Sequence, residues 1–194
     1  MSNSYLVEVD KLERLREAWI PAVEFLFGSP VENIVFDGFE VLDDLSRPTT
    51  LLSQENGLIH YKIQMPAKSF SNDVMLLADV IQEMVRALFP VVNEQDKTTA
   101  LCEGVAVFGA ITAIKQVFGE GTVDSYLNAL REQAFSYYDA FSYVALLLAE
   151  DPQAIKKLRK EKPYLYEVER DDFSEVGIDI DRKMKDILLL SFRA

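Results

Sequence analysis

Cysteine is almost missing from this chain, and Cys102 is the sole one among 194 residues. An intrachain disulfide is therefore excluded, and the usage suits a reducing compartment. Positive charge is also scarce, with 20 Lys and Arg against 32 Asp and Glu and a formal net charge of −12. Such a field repels phosphate backbones and anionic lipid heads, so nucleic acid and membrane surface are poor partners while a basic protein or peptide is steered in. The N-terminal stretch MSNSYLVEVDKLERLREAW has no basic region followed by an apolar one, and nothing in it resembles a secretory signal. No apolar run of about eighteen residues escapes a charged or polar break, as a spanning helix would require. The expectation is a cytoplasmic protein.

Repeats, low-complexity tracts and Gly, Ser or Pro-rich linkers are absent as well. With 49% hydrophobic residues, the chain can bury one sizeable core, so 1–194 reads as a single domain whose 151–194 form a C-terminal helical extension.

What is present is mostly helical spacing. From Val9 to Phe27 the apolar positions recur at three and four, until Gly28-Ser29-Pro30 stops them. Asn33 to Phe36 is β-prone and runs into Asp37-Gly38, a turn signal. A weak strand is possible at Phe39 to Val41, and the stretch up to Asn56 reads as irregular. After the Asn56-Gly57 turn, Leu58 to Ile63 reads as a strand ended by Pro66. A helix then runs from Ser71 or Asn72 to Phe89. Asp96 is the candidate cap of a second long helix ending at Gly119, and Thr122 of a third reaching about Glu150. Asp151-Pro152 opens a short helix carrying the basic run Lys156, Lys157, Arg159, Lys160 and Lys162, which reads as a solvated face. An acidic connection, Glu167 to Asp181, leads to a last helix containing Met184, Ile187 and Leu188. The fold class is α+β: a mainly helical single domain with a small N-terminal sheet.

One charge stands out. In LCEGVAVFGAITAI, Leu101 to Ile114, Glu103 is the single charged residue of an otherwise apolar or small helix. A buried carboxylate is costly without a partner, so Glu103 needs one. The preceding helix, joined by the short connection Val91 to Gln95, offers a stripe of Asp79, Gln82, Glu83 and Arg86 at spacings of three and four. Arg86 is the only cation among them, and its guanidinium fork can hold Glu103, Glu83 or both. Cys102 beside it reads as packing.

The pair VIQEMVRALF, Val80 to Phe89, and LCEGVAVFG resembles the active-site helix and glutamate helix of zincin metallopeptidases of the gluzincin type. That family carries HExxH on the first helix and a third zinc ligand in an E-G-x-A setting on the next. The resemblance places Glu83 at the catalytic glutamate and Glu103, with Gly104 and Ala106, at the third ligand. Gln82 and Arg86 occupy the two histidine positions. A glutamine amide is a weak zinc ligand and an arginine is none, and the lone His60 lies on a strand. The four positions Gln82, Glu83, Arg86 and Glu103 are thus a vestigial site, with no metal, no cofactor and no catalytic residue expected.

The resemblance makes Leu58 to Ile63 the strand bordering the cleft, with His60 and Tyr61 as candidate ligand-binding residues. The implied function is a catalytically inactive zincin-like protein that binds a protein or peptide partner through the old substrate cleft. One alternative is an immunity or antitoxin-type protein masking a basic partner. Another is a hydrolase with an atypical metal site built from Glu83, Glu103 and His60.

Overall fold

Helix α1 (Leu6–Phe27) buries Leu12, Val23 and Phe27, the inner edge of the periodic stripe. The structure, a computed structural model, describes residues 5–93 and 95–193; residues 1–4 of the N-terminal stretch, Glu94 of the connection after Phe89, and Ala194 lie outside it. After α1 come three strands, β1 (Ile34–Leu42), β2 (Thr49–Glu55) and β3 (Leu58–Pro66), in the order β1-β3-β2. β1 runs parallel to β3, and β2 runs antiparallel to it. The architecture is α+β, with a small sheet near the N-terminus of a mainly helical fold.

Three strand expectations change. Asp37-Gly38 is a bulge and not a turn: the register against β3 shifts between Phe36 and Phe39 while β1 continues to Leu42. Gly38 accommodates this at φ 95°, a conformation that a residue with a Cβ adopts only at a cost. The stretch that reads as irregular contains β2, which is the antiparallel edge strand. Leu58–Ile63, expected at the edge, is the sheet's centre. The reason is that β2 is exposed along most of its length and so shows no apolar alternation, whereas β3 alternates buried Ile59, Tyr61, Ile63 and Met65 with outward His60, Lys62 and Gln64.

Helix α2 (Asp73–Ala87) starts where Asn72 accepts from the backbone N–H groups of Val74 and Met75, at 3.0 and 3.1 Å. Its buried face is Leu76, Leu77, Val80, Ile81, Met84 and Val85. Helix α3 (Ala100–Phe118) is capped by Thr99, whose Oγ1 accepts from Cys102 N at 3.3 Å, in place of the expected Asp96. Among the described residues α3 is the one helix long and apolar enough to cross a membrane; 67% of its apolar window is buried in this fold. Arg86 meets Glu103, while a Cβ on Gly109 would meet Val85 and Ile81. Moving forward along α3 therefore moves backward along α2, and the two helices are antiparallel.

The expected third helix is two, α4 (Glu120–Gln133) and α5 (Phe135–Glu150), broken at Ala134 with φ −147° and ψ 56°. Thr122 does not cap it; its hydroxyl donates to the Phe118 carbonyl. Helices α6 (Ala154–Glu161), α7 (Arg170–Glu175) and α8 (Arg182–Leu188) follow. The acidic connection thus contains a helix, because Glu169 and Asp172 form a capping box that starts α7. The basic run is not a uniformly solvated face either. Arg159 is buried, donating to the carbonyls of Phe27, Gly28, Ser29 and Leu88 at the C-terminal ends of α1 and α2. Leu158, Leu165, Phe173 and Leu188 belong to the same core as α2 and α3.

Candidate functional site

The polar stripe of α2 and the inner side of β2 face one another across a cavity of about 710 Å³. Thr50 and Leu52 form its strand wall, the α2 residues Met75, Asp79, Gln82, Glu83 and Arg86 its floor, and Tyr126 of α4 and Tyr137 of α5 its far side. Phe192 stands at one corner: its N donates to the Thr98 carbonyl at 2.9 Å, and its ring lies 4.7 Å from that of Tyr137.

At the centre of the floor, Arg86 bridges both glutamates. Its Nε and Nη2 donate to Glu103 Oε2 at 3.1 and 2.7 Å, and its Nη1 donates to Glu83 Oε1 at 2.6 Å. A further bond from Nη2 reaches Gln82 Oε1 at 3.2 Å. The acids have second partners: Thr50 Oγ1 donates to Glu83 Oε2 at 2.6 Å, and Thr98 Oγ1 to Glu103 Oε1 at 3.0 Å. Glu83 and Glu103 are 4% and 6% exposed, while 26% of the Arg86 side chain remains open. Burial by itself lowers the affinity of Arg86 for its proton, and the nearby charges of Glu83 and Glu103 override it, so the pKa lies above the ordinary arginine value. The cation is permanent. The partner that Glu103 requires is thus Arg86, shared with Glu83.

The flanks of this cluster differ in charge. Asp79, one turn before Glu83, accepts from Ser69 Oγ at 2.9 Å. Its burial, reinforced by the Glu83 charge and opposed by the Ser69 bond, pushes its carboxyl up from 3.8 to about 6. Tyr126 is held above its usual range, first by burial and then by Asp79, while its hydroxyl accepts from Gln82 Nε2 at 3.1 Å. On the other side Tyr137 is raised by burial and by Glu103, with Arg86 and Arg47 opposing. Asp79 and Arg47 both line the cavity, and the charge of the first acts on Tyr126 and that of the second on Tyr137.

The protein matches no known family, no curated protein and no solved structure.

The zinc ion implied by the resemblance does not fit this donor set. Gln82 and Arg86 stand where two histidines would, and the guanidinium itself lies against both carboxylates. Among the described residues no group of three or more His, Cys, Asp or Glu is placed to hold a metal.

His60 and Tyr61 are not part of the cavity, since β3 is the central strand and β2 stands at its edge. His60 lies on the outer side of the sheet with Nδ1 3.0 Å from Asp37 Oδ1. Tyr61 faces inward on the α1 side, where its hydroxyl accepts from Arg16 Nη2 at 3.2 Å. Cys102 is buried, which raises its thiol pKa, and Thr99 donates to its sulfur at 3.3 Å. Thr50, Thr98, Tyr126 and Tyr137 carry no motif of their own. The one usable sequence signal was the β-branched pair Thr49-Thr50 followed by Leu51-Leu52 and the Asn56-Gly57 turn, a hairpin pattern.

Proposed function

We propose that this chain is a zincin-like scaffold that has kept the cleft and exchanged the zinc reaction for binding, taking an extended segment of a protein or peptide partner alongside β2. The observation that carries the reading is the pairing of an antiparallel edge strand with an open cavity whose floor is fixed by Arg86, Glu83 and Glu103. An edge strand offers unpaired backbone donors and acceptors, and an extended segment satisfies them by strand addition. Alternate side chains of that segment then enter the cavity. The net charge of −12 favours a basic partner and disfavours nucleic acid or a membrane surface. The same charge supports a second reading in which the partner is a basic toxin and this chain its immunity protein. The location we assign is cytoplasmic.

The test is selection of binders from a random nonapeptide display library, followed by hydrogen exchange of the complex. Slowed exchange of amides in Thr49–Glu55 is expected; binders that protect another surface, or a library without binders, would overturn the reading. Metal analysis of the purified protein separates binding from hydrolysis. One equivalent of zinc, manganese or iron together with peptide cleavage abolished by Glu83→Gln would restore the hydrolase alternative.

A further inference from the structure

The Arg86 cluster is complete in itself, and Asp79 is left out of it. Four donated bonds of Arg86 go to Glu103, Glu83 and Gln82, and none goes to Asp79. Ser69 binds Oδ2 of Asp79, and among the described residues Oδ1 accepts no hydrogen bond and no cation lies within ion-pair distance. Lys68, on the 3-10 turn before α2, acts on Asp79 more weakly than any other neighbour. The remaining charged and titratable groups around it are Glu83 and Arg86 on α2 and Tyr126 on α4. No side-chain oxygen or nitrogen among the described residues is buried without a partner, so Oδ1 of Asp79 is accessible, and a cation reaching it would make a charge-assisted bond.

The surroundings suit a cation on an apolar stem. Met75, one turn earlier on α2, and Leu130 of α4 line the cavity near Asp79 and Tyr126, giving a hydrocarbon chain something to lie on. Of the cations lining the cavity, Arg86 is committed to Glu83 and Glu103, and Arg47 makes no ion pair with Asp79 among the described residues.

We propose that the cavity contains a subsite for an alkylammonium group, with the Asp79 carboxylate as its counter-ion and Met75 and Leu130 against its methylene stem. This deepens the peptide reading by assigning a lysine side chain of the bound segment to that subsite, and the two can fail separately. No other carboxylate of the floor is available, because Glu83 and Glu103 already share Arg86.

Binding is followed by amide shifts of the labelled chain on titration with three probes: cadaverine, an acetylated and amidated pentapeptide Thr-Val-Lys-Val-Thr, and its norleucine counterpart. The lysine peptide should bind at least about tenfold tighter than the norleucine one, the scale of one charge-assisted contact. Asp79→Asn should erase the difference, and Asp73→Asn, exposed on the same helix, should keep it. A carboxyl half-ionised at about 6 is only about one-tenth ionised at pH 5, so a lysine advantage of about tenfold near pH 7.5 should fall to about twofold at pH 5. If cadaverine shifts the Asp79 and Tyr126 amides and both peptides fail, the subsite stands and the peptide reading falls. If both peptides bind alike, with and without Asp79, the subsite is overturned and strand addition stands. Failure of all three probes overturns both.

Discussion

Removing Arg86 leaves two carboxylates, 4% and 6% exposed, without their counter-charge. In Arg86→Met the stem volume is kept and the fork is lost, with its bonds of 2.7 and 3.1 Å to Glu103, 2.6 Å to Glu83 and 3.2 Å to Gln82. Each glutamate then retains one hydroxyl, Thr98 or Thr50, which cannot offset a buried charge. Breaking a buried pair on one side costs about 3–5 kcal/mol, and the open quarter of the Arg86 side chain argues for the lower end, about 3. Against a total stability of about 5–15 kcal/mol, the variant stays folded but melts early. Neutralising the acids in the same background, Arg86→Met with Glu83→Gln and Glu103→Gln, should recover most of the loss. Urea unfolding followed by far-ultraviolet circular dichroism measures both variants against the parent chain. A deficit below about 1 kcal/mol at neutral pH, or a triple variant no more stable than the single one, would refute the bridging role.

Three further changes test other parts of the design. Gly104→Ala should destabilise by about 2 kcal/mol or more despite the better helix propensity of alanine, because its Cβ would stand 2.4 Å from the Ala140 carbonyl oxygen and 2.6 Å from Val144 Cγ2; a higher melting temperature would refute the close crossing of α3 and α5. Arg159→Met should cost about 3 kcal/mol in urea unfolding, since its guanidinium binds four carbonyls at the ends of α1 and α2 and stands at the negative poles of both helices, and Arg159→Lys should recover less than half; full rescue by lysine would show that charge alone matters. Asp79→Asn should stabilise at pH 7 by about 1–2 kcal/mol, a rise from 3.8 to about 6 being worth up to about 3 before discounting for partial exposure. The native state holds the extra proton, so Asp79 favours folding most below 3.8 and loses that contribution as pH rises to about 6. The gain of the asparagine variant must therefore vanish in melts below about pH 4, and a gain independent of pH would contradict the burial of this carboxyl.

Much of the central arrangement is legible in the sequence because a charge inside an apolar helix leaves few solutions. Glu103 demands a partner, the short connection from Val91 to Gln95 brings the end of α2 beside it, and that end holds one cation. β2 is different in kind. Its strand character comes from pairing with β3, and its own side chains, mostly in solvent, carry no alternation to read. The break at Ala134 is likewise invisible, as alanine is the best helix former and no glycine or proline marks the place. Arg159 shares composition with four neighbouring lysines and differs from them only through carbonyls more than seventy residues away in sequence. Local patterning sees periodicity and caps; it does not see which member of a basic run meets the ends of two helices.

Thr50, Glu83, Arg86, Glu103 and Thr98 form one continuous hydrogen-bonded chain from the edge strand through α2 to the segment entering α3. The Thr50–Glu83 bond is the link of this chain that ties β2 to α2, beside the packing of Leu52 against the core. The same links account for the chemistry. Both oxygens of Glu83 are engaged, one by Arg86 and one by Thr50, and a carboxylate held in this way is poorly placed to take a proton from water. Asp79, which lines the cavity, keeps an accessible oxygen with no cation against it among the described residues. The binding we propose for the cleft should therefore vary with substitutions at Asp79 and β2, while substitutions at Glu83 act first on the Thr50 and Arg86 links.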